Sequence, residues 1–225
     1  MTYTIEQLTG QDQSHLVPLE GFEKHLLTPE TARAFSAMRE DAARDGIDIA
    51  PVSCFRSFQR QLEIWNDKYL GDRPVYDNRN RPVNVGTLTG VETVYAILYW
   101  SALPGFSRHH WGTDLDVASQ KLMPEGYQLQ LTSDEYGPDG IFAPLTAWLD
   151  RHMEEYGFFR PFTDDAHVRV GTELWHLSHR SQAAEFERLI SREVIAKVVG
   201  ESQIAGKSCL KGMIDELYDD YIIHL

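Results

Sequence analysis

Cysteine is nearly absent from this 225-residue chain: Cys54 and Cys209 are the only two. Two thiols cannot build a disulfide framework, and a thiolate zinc site would need more of them. Positive charge is also scarce. Twenty-one Lys and Arg stand against 34 Asp and Glu, for a formal net charge of -13. Non-specific nucleic-acid binding, which depends on neutralising phosphates, is therefore not expected. Docking on an anionic membrane surface is not expected either. No long apolar run is present, and the most apolar stretch, Val94 to Leu103, is too short to span a bilayer. The first residues, Met1-Thr-Tyr-Thr-Ile-Glu-Gln, carry neither a basic nor an apolar export region, so a cytoplasmic location is the expectation. There is no internal repeat, no Gly-rich phosphate loop and no Gly-x-Ser-x-Gly elbow.

What is present is ordinary for one globular unit: 42% hydrophobic and 24% charged residues, enough to bury one sizeable core. Thr28-Pro29-Glu30 predicts a helix start, with Thr as cap and Pro at the first helical position, and Gly46 predicts its end. Ile47 to Phe55 reads as a strand in which Pro51 implies an edge position or a bulge. Ser57 can cap a helix carrying Phe58, Leu62, Trp65 and Tyr69 on one stripe. Gly71 to Thr89 reads as a long loop, Val91 to Ala102 as a helix, and Thr113 to Ala118 as a strand. Lys121 to Gly140 is loop-like, with a short hairpin expected around Tyr127 to Leu131. Leu145, Trp148, Leu149, Met153 and Tyr156 form a helical stripe stopped by Gly157. Short strands are expected at Val168 to Val170 and Glu173 to Leu177, then helices over Ser181 to Val199 and Lys207 to Ile223. Helices and short strands without βαβ regularity imply an α+β fold.

Two segments carry chemistry. The first is Ser107-Arg-His109-His-Trp-Gly112-Thr-Asp114-Leu-Asp116, and the second is Glu173-Leu-Trp-His176. Two imidazoles, a carboxylate and a further Glu are the parts of a catalytic zinc site: three protein ligands, an open fourth position, and a base beside it. Asp114 and Asp116 share a strand face, so by pattern alone either could be the ligand. Glu173 and His176 are three apart, which on a strand would aim them to opposite sides. They need a bend or a strand end to cooperate. His110 reads as a packing neighbour and His152 as a core residue. His179 and Arg180 follow the second motif closely enough to touch a substrate.

Taken together and in order, these segments resemble the signature of the peptidoglycan-directed zinc D-alanyl-D-alanine carboxypeptidases and dipeptidases, the VanX and VanY group with the L-alanyl-D-glutamate endolysins. That signature reads Ser-x-His-x-x-Gly-x-Ala-x-Asp, then Glu-x-Trp-His. Ser53-Cys-Phe-Arg56-Ser57-Phe-x-x-Gln61 and Tyr156-Gly157-Phe158 are similar to further family motifs, and the resemblance covers about residues 50 to 180. It implies zinc held by His109, Asp116 and His176, with Glu173 as general base and Arg56 steadying the carbonyl oxygen. It assigns Ser107 and Gln61 to substrate binding. A small antiparallel sheet flanked by helices is implied, and a cell-wall peptide or muropeptide as substrate. Two positions depart from the family: its small Ala is Asp114 here, expected beside the ligands as a supporting carboxylate, and a Gly is Cys54, expected as a buried small hydrophobe. The alternatives are an L-alanyl-D-glutamate endopeptidase and a silent binding module that keeps the zinc fold, as in the Hedgehog signalling domain. Residues 1 to 27 receive no role. Residues 181 to 225 are expected to form a helical extension of one zinc peptidase unit.

Overall fold

A computed structural model describes residues 3–163 and 169–222. The chain opens with a one-turn helix α1 (Ile5–Leu8) and a hairpin of β1 (Val17–Leu19) and β2 (Phe22–Leu27). Helix α2 (Pro29–Arg44) begins where Thr28 caps it, its side chain accepting from the Thr31 N–H, and buries Phe35, Met38 and Ala42 on one stripe. The strand β3 (Ala50–Ser53) follows, shorter than the sequence predicts. Ser57 caps α3 (Phe58–Leu70), and Gly71 closes it in the left-handed conformation at φ 84°.

The expected long loop from Gly71 holds a small hairpin, β4 (Val75–Tyr76) with β5 (Pro82–Val83). Helix α4 (Gly90–Leu98) then ends four residues earlier than the sequence predicts. A 3₁₀ turn, Arg108–His110, leads through Gly112 into β6 (Asp114–Ala118). The hairpin expected at Tyr127 to Leu131 does not form. Glu135 of the short α5 (Ser133–Tyr136) instead accepts from the Tyr127 hydroxyl and the Gln130 N–H, which fixes that segment without strand pairing.

Helix α6 (Ala143–His152) and a 3₁₀ turn run to Gly157, and β7 (Phe158–Phe159) follows. Strand β8 (His176–His179) starts three residues later than predicted, after a turn at Leu174 and Trp175. Of the strand expected at 168 to 170, Arg169 and Val170 form a bend and Val168 lies outside the described residues. The single helix expected from Ser181 is two, α7 (Arg180–Glu187) and α8 (Arg192–Glu201), because Ser191 caps a fresh start by accepting from the Val194 N–H. Two short pieces, α9 (Lys207–Lys211) and α10 (Ile214–Glu216), and a π-helical turn at Leu217–Ile222 replace the last predicted helix; Ile223 lies outside the described residues.

The central sheet is antiparallel in the order β3-β6-β8-β7, so the α+β expectation holds. Pro51 sits on the edge strand, and the register slips between Pro51 and Ser53. Two apolar clusters fill the interior. The sheet, the first hairpin, α2 and α6 share one; α3, α4 and the C-terminal helices share the other. Among the described residues no helix is long and apolar enough to cross a membrane.

Candidate metal centre and cavity

Antiparallel pairing of β6 with β8 sets Asp116 directly opposite His176 and Asp114 opposite Ser178. Both aspartates project to one face, and His176 lies between their carboxylates. Its Nδ1 is 3.1 Å from Asp116 Oδ1, and its Nε2 is 3.0 Å from Asp114 Oδ1. His109 enters from the 3₁₀ turn before the strand. Gly112 makes the bend at φ 70°, and its carbonyl accepts from the Thr28 N–H. The His109 Nδ1–H donates to the Cys54 carbonyl at 2.8 Å, which turns Nε2 toward Asp116 Oδ2 at 3.3 Å.

One ligand atom from each of His109, Asp116 and His176 therefore falls within 4.8 Å of the others. Asp116 rather than Asp114 belongs to this group. The donor set, two imidazoles and one carboxylate whose outer nitrogens are bonded elsewhere, fits a borderline divalent metal such as zinc.

Charge is concentrated there. Burial opposes ionisation of Asp116, but His109 and His176 outweigh it and hold its carboxyl far below the usual range. Burial likewise disfavours the His176 imidazolium, yet its bonds to Asp114 and Asp116 raise it to about 9. Glu173 precedes β8, and the turn at Leu174 and Trp175 folds its carboxylate back to 3.5 Å from His176 Nδ1. The strand end thus resolves the spacing-of-three difficulty. Burial pushes Glu173 up to about 7; Asp116 adds to the rise, and His176 and Arg56 oppose it.

Arg56 faces the same group from the β3–α3 connection. Its Nη1 donates to Gln61 Oε1 at 3.0 Å and its Nη2 to Ser53 Oγ at 3.3 Å. Its carbonyl accepts from His110 Nδ1 at 2.6 Å, while His110 Nε2 accepts from the Gly105 N–H. His110 is thus a buried, neutral brace, held down to about 3 chiefly by burial. Gln61 was expected to bind substrate. It is fully buried, supports Arg56 with its oxygen, and donates its amide to the Ala102 carbonyl at 2.7 Å. It is absent from the cavity wall, whereas Ser107 is part of it.

Asp114 is supported in turn. Arg108, 2% exposed, donates from Nε to Asp114 Oδ1 at 2.8 Å, from Nη1 to Glu187 at 2.9 Å, and from Nη2 to Ser178 at 2.7 Å. The Thr113 hydroxyl also donates to Asp114. Cys54 is buried, and burial drives its thiol far above the normal value, as a small hydrophobe's would be. His152, expected in the core, is partly exposed and pairs with Glu155. His179 packs against Phe158, and the Arg180 guanidinium lies over Phe159; neither lines the main cavity.

That cavity, about 480 Å³, opens beside the three clustered residues between the two apolar clusters. Arg56, Ser107 and Glu173 line it, and so do Lys68, Arg73 and Ser101. Leu217, Tyr221 and Ile222 of the C-terminal segment close part of its wall. Lys68, Arg73 and this C-terminal wall went unassigned in the sequence. For Lys68 a signal exists: it falls seven residues after Gln61, on the same side of α3.

The family model for VanY, D-alanyl-D-alanine carboxypeptidase, matches residues 24–182. The chain belongs to that family. The match begins within β2 and stops at the third residue of α7. Two uncharacterised proteins of Haemophilus influenzae are similar. One is 39% identical over 105 residues, covering 46% of this chain and 72% of the relative. The other is 32% identical over 118 residues, covering 52% and 90%. Among solved structures, VanYB in complex with D-alanine-D-alanine superposes with a TM-score of 0.54 at 17% identity, covering 85% of this chain and 92% of that one. The LdcB LD-carboxypeptidase superposes at 0.52 and 20% identity, covering 81% and 77%. At those identities the likeness is one of fold.

Proposed function

We propose that this protein is a zinc peptidase acting on D-amino-acid-containing cell-wall peptides, as a D-alanyl-D-alanine carboxypeptidase or dipeptidase. The observation that carries the reading is the meeting, in one cavity of a VanY-family chain, of the His109, Asp116 and His176 cluster with Glu173 and Arg56. His109 Nε2, an Asp116 oxygen and His176 Nδ1 would hold the zinc. Zinc bound there supplies Lewis acidity, making water more acidic and a peptide carbonyl more electrophilic.

Glu173 takes the proton from the attacking water. Its carboxylate lies 3.5 Å from His176 Nδ1, within reach of a water held at the cluster. It then delivers that proton to the departing amine, so one carboxylate serves both halves of the step. Arg56 presents its guanidinium where negative charge gathers on the carbonyl oxygen. Gln61 and Ser53 hold the fork still, so little reorganisation is needed as that charge develops. Asp114 fixes the His176 ring through Nε2, leaving Nδ1 to face the metal position.

Mass spectrometry of the products from D-alanyl-D-alanine, acyl-D-alanyl-D-alanine peptides, tetrapeptide muropeptides and intact sacculi tests this. Release of D-alanine by zinc-loaded protein is expected. Cleavage confined to L-alanyl-D-glutamate bonds would replace the assignment with an endopeptidase, and no cleavage of any member would remove it. A silent binding module has no need of a buried carboxylate and guanidinium facing one another across the cluster, and this chain keeps both.

A further inference from the structure

The family match ends at residue 182, yet Leu217, Tyr221 and Ile222, well beyond it, line the cavity. They come from the segment 214–222, whose sequence is two-sided. Its acids stand in pairs, Asp215 with Glu216 and Asp219 with Asp220, and the apolar residues fall between and after them. On the π-helical turn Leu217–Ile222, residues four and five apart share a face, so Leu217, Tyr221 and Ile222 point the same way. None of the four acids lines the cavity. Arg192 of α8 pairs with Asp215 at 2.8 Å and with Asp219 at 2.6 Å. Arg169 pairs with Glu216 at 3.2 Å and with Asp220 at 3.3 Å, and the Tyr95 hydroxyl donates to Glu216 at 2.8 Å. The apolar side shares one cluster with Leu98, Leu103 and Phe106, which line the cavity too. This part of the wall carries no charge; Arg56 and Glu173 reach the cavity from other segments.

We propose that Leu217, Tyr221 and Ile222, from outside the family match, form a selectivity wall that limits one residue beside the scissile bond to a small, uncharged side chain. The inference deepens the hydrolytic reading above and rests on it. The three side chains are 0%, 7% and 5% exposed, so the wall is packed from behind. The Tyr221 ring stacks on Tyr95, with centroids 6.4 Å apart and planes at 21°. A side chain larger than the space in front of such a wall forces strain on both partners. A charged one gives up its water and meets no counter-charge there.

The wall is tied to the stretch that carries Glu173. The Arg169 N–H donates to the Asp220 carbonyl at 3.1 Å, which adds a main-chain bond to the two ion pairs of the Arg169 side chain. Glu173 follows four residues later, a span of at most about 14 Å. Val170, between them, lines the cavity as well. A peptide whose scissile bond sits at Glu173 therefore sets a neighbouring residue against the wall. The cavity of about 480 Å³ is of the size that encloses a short peptide rather than a polymer.

The test compares zinc-loaded wild type, Ile222→Ala, Ile222→Phe and Tyr221→Leu. Two peptide series are used, N-acetyl-D-X-D-alanine and N-acetyl-D-alanyl-D-X, with X alanine, leucine or lysine. Product formation gives relative kcat/KM, and calorimetry with uncleavable phosphinate analogues of the same peptides gives binding without turnover. In one series wild type is expected to favour alanine over leucine by on the order of 10-fold or more, as surplus carbons at a closed apolar site do, with lysine poorest. Ile222→Ala should reduce the leucine penalty by about 10-fold and leave lysine poor, Tyr221→Leu should reduce it less, and Ile222→Phe should deepen it. General loosening of the fold moves both series together and has one sign. Opposite shifts by the two Ile222 variants, confined to one series, therefore mark a substrate contact. Ratios equal to wild type in all variants, or parallel shifts in both series, overturn the proposal. Wild-type hydrolysis without an alanine preference at either position would overturn the wall and leave the peptidase reading standing. Size-limited analogue binding that Ile222 controls, without cleavage of any peptide, would support the wall and refute the peptidase reading.

Discussion

Asp114 Oδ1 lies 3.0 Å from Nε2 of His176, at the opposite end of the ring from Asp116. One imidazole is thus held from both sides by carboxylates two residues apart on one strand. The position that the resembling signature fills with a small Ala here carries a carboxylate in contact with a residue of the clustered site. The cost of burying Asp114 is offset by the guanidinium of Arg108, which holds its carboxyl below the usual range against burial.

Asp114→Ala is expected to weaken zinc binding by ~10-fold to 100-fold without abolishing it, as loss of a partner behind a ligating histidine does. Asp116→Ala should be essentially metal-free. Zinc content of the two variants, measured side by side after dialysis against a chelator series, checks this. A metal-free Asp114→Ala beside a metal-replete Asp116→Ala would reverse the assignment.

His176→Ala should lose most bound zinc and nearly all hydrolysis if the His109, Asp116 and His176 cluster holds the metal as proposed, because it removes one of the three. Stoichiometric tight zinc in this variant would show that the ligand set is wrong.

Glu173→Gln should keep its zinc and lose ~10²-fold or more in turnover, since it removes the proposed base and leaves the proposed ligands. Metal analysis and kcat on the same preparation separate the two effects. Near-normal turnover would show that the proton goes elsewhere.

Arg56→Lys keeps the charge but not the planar fork that reaches Gln61 and Ser53 together. The loss should fall mainly on kcat if the contact strengthens as negative charge develops. A change confined to KM would make Arg56 a ground-state binding residue.

Lys68 predicts a pH signature of stability. Burial first, then like charge, depresses its folded value to about 8, below the 10.5 of a free lysine. Between those values the unfolded chain binds more protons, so this group's contribution makes the protein more stable as pH rises through that window. Lys68→Met should therefore be more stable than wild type at pH 7, and the difference should shrink between about pH 8 and 10.5. Chemical denaturation at several pH values reads it directly; a difference that grows with pH would contradict the assignment.

Local rules were enough for the elements whose ends are written in adjacent residues. Thr28-Pro29 starts α2, Ser57 and Gly71 bound α3, and Gly157 ends the α6 segment, because caps and left-handed turns are decided within a few residues. The break at Ser191 was equally local, yet it lay inside a continuous apolar period that masked it.

Residue order alone supplied the chemistry: two imidazoles, neighbouring carboxylates, a Glu three before a His, and an Arg between Phe55 and Ser57. Distances between these groups were decided by strand register, which sets Asp116 opposite His176 and leaves Asp114 to the far side of the ring. A one-residue slip would exchange faces, and nothing in a single strand's sequence specifies its partner's register. The cations of the cavity and the C-terminal residues that close it come together only when α3, α4 and the last turns pack into one apolar cluster. Such contacts join residues more than a hundred positions apart, where no period or spacing in the chain can record them.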